Sequence, residues 1–254
     1  MQKLKHYAYM CHVLAWNQVK VRYKNSILGV LWGFLNPLGI MYIFIFVFSS
    51  VFVEIENYPL YLLSGLIFWY FFTNASNEIV FSFIKGQGII KSLSIPRSVL
   101  PLSGILSSFI HLLFTLFPFF IVMNFYGLVW SWHIFLLIPA LVLFTIFIFG
   151  LCLALASVNV YFRDISMLWS TLLMFIFYSS PIVYGRTIVP DRFSFIVKFN
   201  PISYYMELFR SALYYNRIAA IDVWLIATAF SFSFLLVGFM IYRKLRKGFV
   251  SNLG

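Results

Sequence analysis

Seven acidic residues are all that 254 positions carry, and charged residues of either sign make up only 10%. A soluble globular domain has about a quarter of its residues charged. With 63% hydrophobic residues and a mean hydropathy of +0.95, this chain cannot cover a water-facing surface with polar groups. A soluble fold is excluded. Cysteine is equally scarce: Cys11 lies in a polar N-terminal segment and Cys152 in a long apolar run. Neither a disulfide framework nor a metal-ligand set can be built from them, and no metal is expected. Enzymatic chemistry is thin as well. Only Glu78 and His111 are ionisable within the apolar stretches, and neither has an acidic or histidine neighbour at helical spacing. No catalytic residue is assigned. A phosphate-binding loop is also missing: Gly86-Gln87-Gly88-Ile89-Ile90-Lys91-Ser92 lacks the glycine directly before the lysine. If ATP drives this protein, the nucleotide site belongs to another chain.

What is abundant is apolar length. A bilayer core needs about 20 apolar residues per helix. Six stretches meet that need, at 28–53, 59–83, 99–124, 134–158, 166–185 and 223–242. The expected fold is therefore an all-α integral membrane domain spanning 1–254. Residues 1–25 carry Lys3, Lys5, Lys20, Arg22 and Lys24 without a clean apolar stretch, so no cleavable leader is expected. Leu4, Tyr7, Cys11, Leu14 and Gln18 share one side of this segment, which predicts an interfacial helix anchored by Trp16 and Tyr23.

The formal net charge of +11 would suggest nucleic acid in a soluble protein. Here the charges sort by loop, and no nucleic-acid partner is expected. The N-terminus, the 84–98 loop, Arg163 and the C-terminus hold 13 of the 18 lysines and arginines. The intervening loops hold Glu54 and Glu56, or no charge at all. The positive-inside rule then puts both termini in the cytoplasm.

Residues 186–222 are a long outer loop of mixed charge. Asn200-Pro201 is a helix start, and Ile202, Met206, Phe209 and Leu213 recur at helical spacing. One or two short helices are expected there, on the outer interface or dipping into it.

Four stretches carry a resemblance. The first is Leu14-Ala15-Trp16 with Lys20-Val21-Arg22-Tyr23-Lys24, Leu28-Gly29-Val30-Leu31-Trp32 and Asn36-Pro37. Next come Ile95-Pro96-Arg97 with Leu100-Pro101-Leu102-Ser103, and Asn159-Val160-Tyr161-Phe162-Arg163-Asp164. Last are Ser180-Pro181-Ile182-Val183-Tyr184, Asn200-Pro201 and Glu207-Leu208-Phe209-Arg210. In this order the chain resembles the type-2 ABC export permeases, the membrane subunits that export O-antigen, capsule and teichoic acid. It departs from them at Asn17-Gln18, where the family commonly has charges after the tryptophan.

The resemblance implies a homodimer of six-helix subunits in the bacterial cytoplasmic membrane, bound to two copies of an ABC ATPase. ATP and Mg would sit on the ATPase, with no cofactor on this chain. The cargo would be a lipid-linked polysaccharide.

Four groups of residues then have expected roles. Apolar Ile89, Ile90 and Leu93, with Lys91 among them, would form the element that couples to the ATPase; a solvated loop explains the charges but not the isoleucines. Arg22, Lys24, Lys85 and Arg97 would contact the lipid diphosphate, whose oxygens match their donors, although anionic lipid headgroups attract them equally. Phe44, Phe48 and Phe52, four apart, form a stripe that is either packing surface or a wall of the sugar conduit. Glu207 and Arg210, three apart, are expected to pair, holding an outer gate helix or merely decorating its surface. Arg163-Asp164 reads as a local ion pair or cap. Gly29 and Gly33 permit either a helix contact or relief of crowding beneath Trp32. Other readings of the chain are a related exporter with a drug or lipid cargo, a membrane-embedded transferase on lipid-linked sugars, and a structural membrane subunit.

Overall fold

The computed structural model describes residues 2–24, 26–48, 55–92 and 96–249. All regular structure among the described residues is helical. The chain order is α1 (Gln2–Tyr23), α2 (Trp32–Phe48), α3 (Tyr58–Val80), α4 (Ser82–Lys85), α5 (Gln87–Ser92) and α6 (Val99–Phe125). It continues with α7 (Leu137–Asn159), α8 (Asp164–Ser179), α9 (Ser194–Phe199), α10 (Pro201–Leu213) and α11 (Ile221–Leu245).

Among the described residues, three helices are long and apolar enough to cross a membrane: Val99–Phe125, Trp132–Asn159 and Ile221–Gly248. Two shorter apolar helices, α2 and α8, accompany them. The stretch expected to span at 59–83 is helical as α3, but Thr73, Asn74, Asn77 and Glu78 dilute its apolar character. Outward faces carry side chains that water would not tolerate, among them Phe46, Phe117, Phe125 and Phe175. A bilayer supplies their solvent. The chain is an integral membrane protein.

Helix α3 is the hub. Leu60 through Trp69 are buried without interruption, on every face of the helix, against α2, α6, α7 and α10. Phe68 stacks on Phe209 of α10 at 3.9 Å, and Phe72 packs near Phe144 and Phe147 of α7.

The closest helix crossing is between α7 and α11. A Cβ at Gly238 would overlap the Gly150 carbonyl, and a Cβ at Gly150 would overlap the α11 backbone at Leu235. Small residues let backbones meet where apolar burial gives no drive. Ser231 Oγ adds a bond to the Leu143 carbonyl at 2.8 Å.

Of the other glycine pair, Gly33 does sit at a helix contact. A Cβ there would overlap the His111 ring and the Thr115 methyl of α6. Gly29 has no such neighbour; at φ +49° it supplies the left-handed turn into α2.

Helix α10 dips inward rather than lying on the surface. Ten of its residues are buried between α3, α7 and α11. Its Tyr205 hydroxyl reaches Ser231 at 2.7 Å, ten positions into α11 and so about 15 Å along that helix. Asn200 caps the start, accepting from the Ile202 amide at 3.0 Å, with Pro201 following. At the opposite end of the bundle, α1 lies along α6.

Candidate functional site

The polar chemistry of the chain gathers at the end of the bundle where α1, α4 and α5 meet the last turns of α3 and the first of α6. Residues Tyr7, Cys11, Leu14, Ala15, Gln18, Val19 and Arg22 turn α1 inward at helical spacing. Three of them are tethered: Tyr7 donates to Ser98 Oγ at 3.0 Å, Gln18 Nε2 donates to Ser103 Oγ at 3.1 Å, and Arg22 Nη2 lies 3.0 Å from Glu78 Oε1. Tyr23 hydrogen-bonds His111 Nδ1. Burial pushes the phenols of Tyr7 and Tyr23 up, so both remain neutral hydroxyls. Glu78 also meets Lys85 Nζ at 3.5 Å. One carboxylate thus serves two cations from two different elements.

Two clefts of about 420 Å³ each open on either side of this ion pair, and Arg22 and Glu78 line both. The first lies between α1, α4 and α5 and includes Leu14, Asn17, Gln18, Lys85 and Ile89. The second lies between α2, α3 and α6 and includes Trp32, Asn36, Tyr70, Thr73, Asn74 and Asn77. Both ionisable residues of the apolar stretches are therefore partnered: Glu78 by two cations, His111 by a tyrosine.

The expected coupling residues fall beside the first cleft. Ile89 and Ile90 are half-buried in α5 and pack on the core, and Lys91 lies in the same helix. Leu93 lies outside the described residues. The expected diphosphate contacts are dispersed. Arg22 and Lys85 share Glu78, and Lys24 is exposed. Arg97 instead donates to the Arg246 carbonyl at the end of α11 and rests 5.9 Å over the Phe249 ring. Tyr161 and Asn159 bind helix ends in the same way, on the carbonyls of Leu245 and Val80.

Of the aromatic stripe, Phe44 and Phe48 stack at 5.7 Å, and Phe44 faces Phe177 of α8 at 6.1 Å. Phe52 lies outside the described residues. Arg163 and Asp164 form no ion pair; both are exposed at the start of α8, where the Arg163 carbonyl accepts from Ser166.

The pairing expected between Glu207 and Arg210 is replaced by two separate arrangements. Glu207 meets Arg217 at 3.3 Å. Arg210, only 3% exposed, points into the bundle and donates to the carbonyls of Pro181 and Ile182 beneath the Tyr61 ring, 3.6 Å away. Those carbonyls belong to the irregular stretch after α8. The next two, of Val183 and Tyr184, accept from Tyr58 at 3.1 Å and Tyr61 at 2.8 Å. Four successive carbonyls without helical partners are thus satisfied by side chains, as buried backbone requires. The Arg186 guanidinium joins the same region through the Ser203 carbonyl at 2.6 Å.

Comparison with known proteins bears on what this arrangement does. Residues 9–214 match the family described as ABC-2 type transporter. The O-antigen export system permease protein RfbA of Klebsiella pneumoniae is 35% identical over 247 residues, covering 95% of this chain and 93% of the relative. RfbA of Myxococcus xanthus is 27% identical over 258 residues, 100% of this chain and 98% of its own length. The polysialic acid transport protein KpsM of Escherichia coli is 22% identical over 248 residues, 92% and 93% of the two chains.

Proposed function

The chain belongs to the ABC-2 type transporter family, and on that premise we propose that it is the membrane subunit of an ATP-driven exporter for a lipid-linked polysaccharide. The observation that carries this reading is end-to-end likeness to permeases named for O-antigen export. The chain acts in the bacterial cytoplasmic membrane with six spans (α2, α3, α6, α7, α8 and α11) and both termini in the cytoplasm. Helix α1 packs along the cytoplasmic half of α6, from Ser98 to His111, with Trp16 facing outward; Tyr23, expected as a headgroup anchor, is turned inward onto His111 instead.

Two copies of this chain assemble with two ABC ATPase chains, which bind ATP and Mg. Each ATPase presses on α4 and α5, with Ile89 and Ile90 presenting the contact and Lys91 and Leu93 assigned to it from the sequence. Lys85 ends α4 and reaches Glu78 on α3, which also holds Arg22 on α1. That shared carboxylate ties the coupling helices to the hub of the bundle. A push on α5 therefore tilts α3 and α1 together instead of being absorbed in a loose loop.

The lipid diphosphate approaches Arg22, flanked by Lys85 and the exposed Lys24, while Arg97 holds the end of α11. Phe44, Phe48 and Phe52 wall the path of the sugar chain, offering flat apolar faces that bind without fixing register. At the outer end, Glu207 and Arg210 hold the gate helix α10 in place, the first through Arg217 and the second through the carbonyls of Pro181 and Ile182. Copurification from native membranes tests the assembly. An ATP-hydrolysing chain recovered at equal stoichiometry is the expected result. Recovery of this chain alone in mild detergent, without hydrolysis, would overturn it.

A further inference from the structure

The cleft between α2 and α3 holds a pattern that, Glu78 apart, neither the coupling nor the gating role uses. Tyr70, Thr73, Asn74, Asn77 and Glu78 follow one another at spacings of three and one, so they form one face of α3. The rest of that helix is enclosed by core side chains; this face alone is open. Across the gap stand Trp32, half-exposed, and Asn36, both on α2.

Apart from the exposed Asn17, the described asparagines elsewhere in the fold are in use. Asn159 donates to the Val80 carbonyl at 3.1 Å, Asn200 to Ser180 at 2.8 Å, and Asn124 accepts from Trp130 at 2.9 Å. Among the described residues, Asn36, Asn74 and Asn77 make no side-chain hydrogen bond, although all three line the same cleft. In a chain this apolar, three amides facing one cavity from both of its sides suit a polar occupant.

We infer that this cleft is the binding site for the first sugars of the exported glycan, next to the lipid diphosphate. The inference rests on the export reading above and names the part of the substrate that is recognised. Each amide offers both donors and an acceptor, which matches sugar hydroxyls that do both. The faces of Trp32 and Tyr70 suit the C–H side of a pyranose ring. At the floor, Arg22 uses one guanidinium nitrogen on Glu78 and keeps the others for phosphate oxygens. Sugar and phosphate recognition thus adjoin, as they do in the substrate.

The test uses the full-length chain in lipid nanodiscs and two synthetic probes: a polyprenyl diphosphate carrying a disaccharide, and the same polyprenyl diphosphate without sugar. The chain is expected to bind the glycosylated probe about tenfold more tightly, equivalent to about 1.4 kcal/mol. Asn74→Ala with Asn77→Ala should bring the two affinities within about twofold, leaving that for the bare probe unchanged, since each lost amide removes a net hydrogen bond. Asn36→Ala, exposed on α2, gives a smaller loss in the same direction and does not depend on the stability of α3. Equal binding of both probes by the unaltered chain, or an undiminished preference in the folded double variant, would overturn the inference. Polymer export in cells lacking the chain reports separately on the export reading. If export stops but no sugar preference exists, only the cleft assignment falls; if export continues, the export reading itself falls.

Discussion

Two arginines on opposite ends of this bundle do different work with the same side chain. Arg22 stands between two open clefts and pairs with a carboxylate that also serves Lys85. Arg210 is shut inside the bundle, under a tyrosine ring, and holds only backbone carbonyls. The first is a shared contact in reach of water, so its partners can be exchanged as elements move. The second replaces the missing helix hydrogen bonds of an irregular segment, so its loss exposes carbonyls that nothing else reaches. The chain is built to rearrange at the α1 end and to stay joined between α8, α3 and α10.

The sharpest way to break this contrast is Arg210→Met. Two buried carbonyls lose their donors, and the expected cost is about 3 kcal/mol or more. Yield of folded protein in mild detergent should collapse, and size-exclusion profiles measure it. Glu78→Gln removes the shared carboxylate in the half-open site and costs about 1–2 kcal/mol. This variant should remain folded, while export measured as surface polymer falls about tenfold, because the connection from α4 to α1 is cut. Asn200→Ala removes the N-cap of α10 and lowers stability by about 1 kcal/mol, read as a drop in melting temperature. Arg217→Ala breaks the exposed pair with Glu207 and should shift stability by no more than about 0.5 kcal/mol. A loss from Arg217→Ala as large as that from Arg210→Met would erase the contrast between surface and interior at the α10 end.

The long helices were legible in outline because apolar length and turn chemistry state them directly, although α8 ends at Ser179, short of the expected 185, and α4 and α5 carry no such signal. Asn200-Pro201 marked the start of α10, and the face containing Tyr7, Cys11, Leu14 and Gln18 is the face that α1 turns inward. Arg210 was not legible. Three residues on a helix turn about 60° short of a full circle, enough to leave Glu207 at the rim and send Arg210 inside. Its acceptors are backbone carbonyls of a distant irregular segment, which no side-chain pattern announces. The Gly150–Gly238 crossing also joins positions far apart in the chain, and each glycine alone is unremarkable in an apolar run. The polar face of α3 was visible as Tyr70, Thr73, Asn74 and Asn77 at helical spacing. A search restricted to ionisable groups passes over it, because amides bind sugars without titrating.

The central claim is that this chain moves a finished lipid-linked polymer rather than building one. Deleting it in its native cell and locating the polymer tests that claim most directly. Loss of an exporter leaves full-length, lipid-linked polysaccharide accumulating on the cytoplasmic side with none at the surface, restored by the intact chain. Unchanged surface polymer, or a shortened or absent polymer inside the cell, would contradict it.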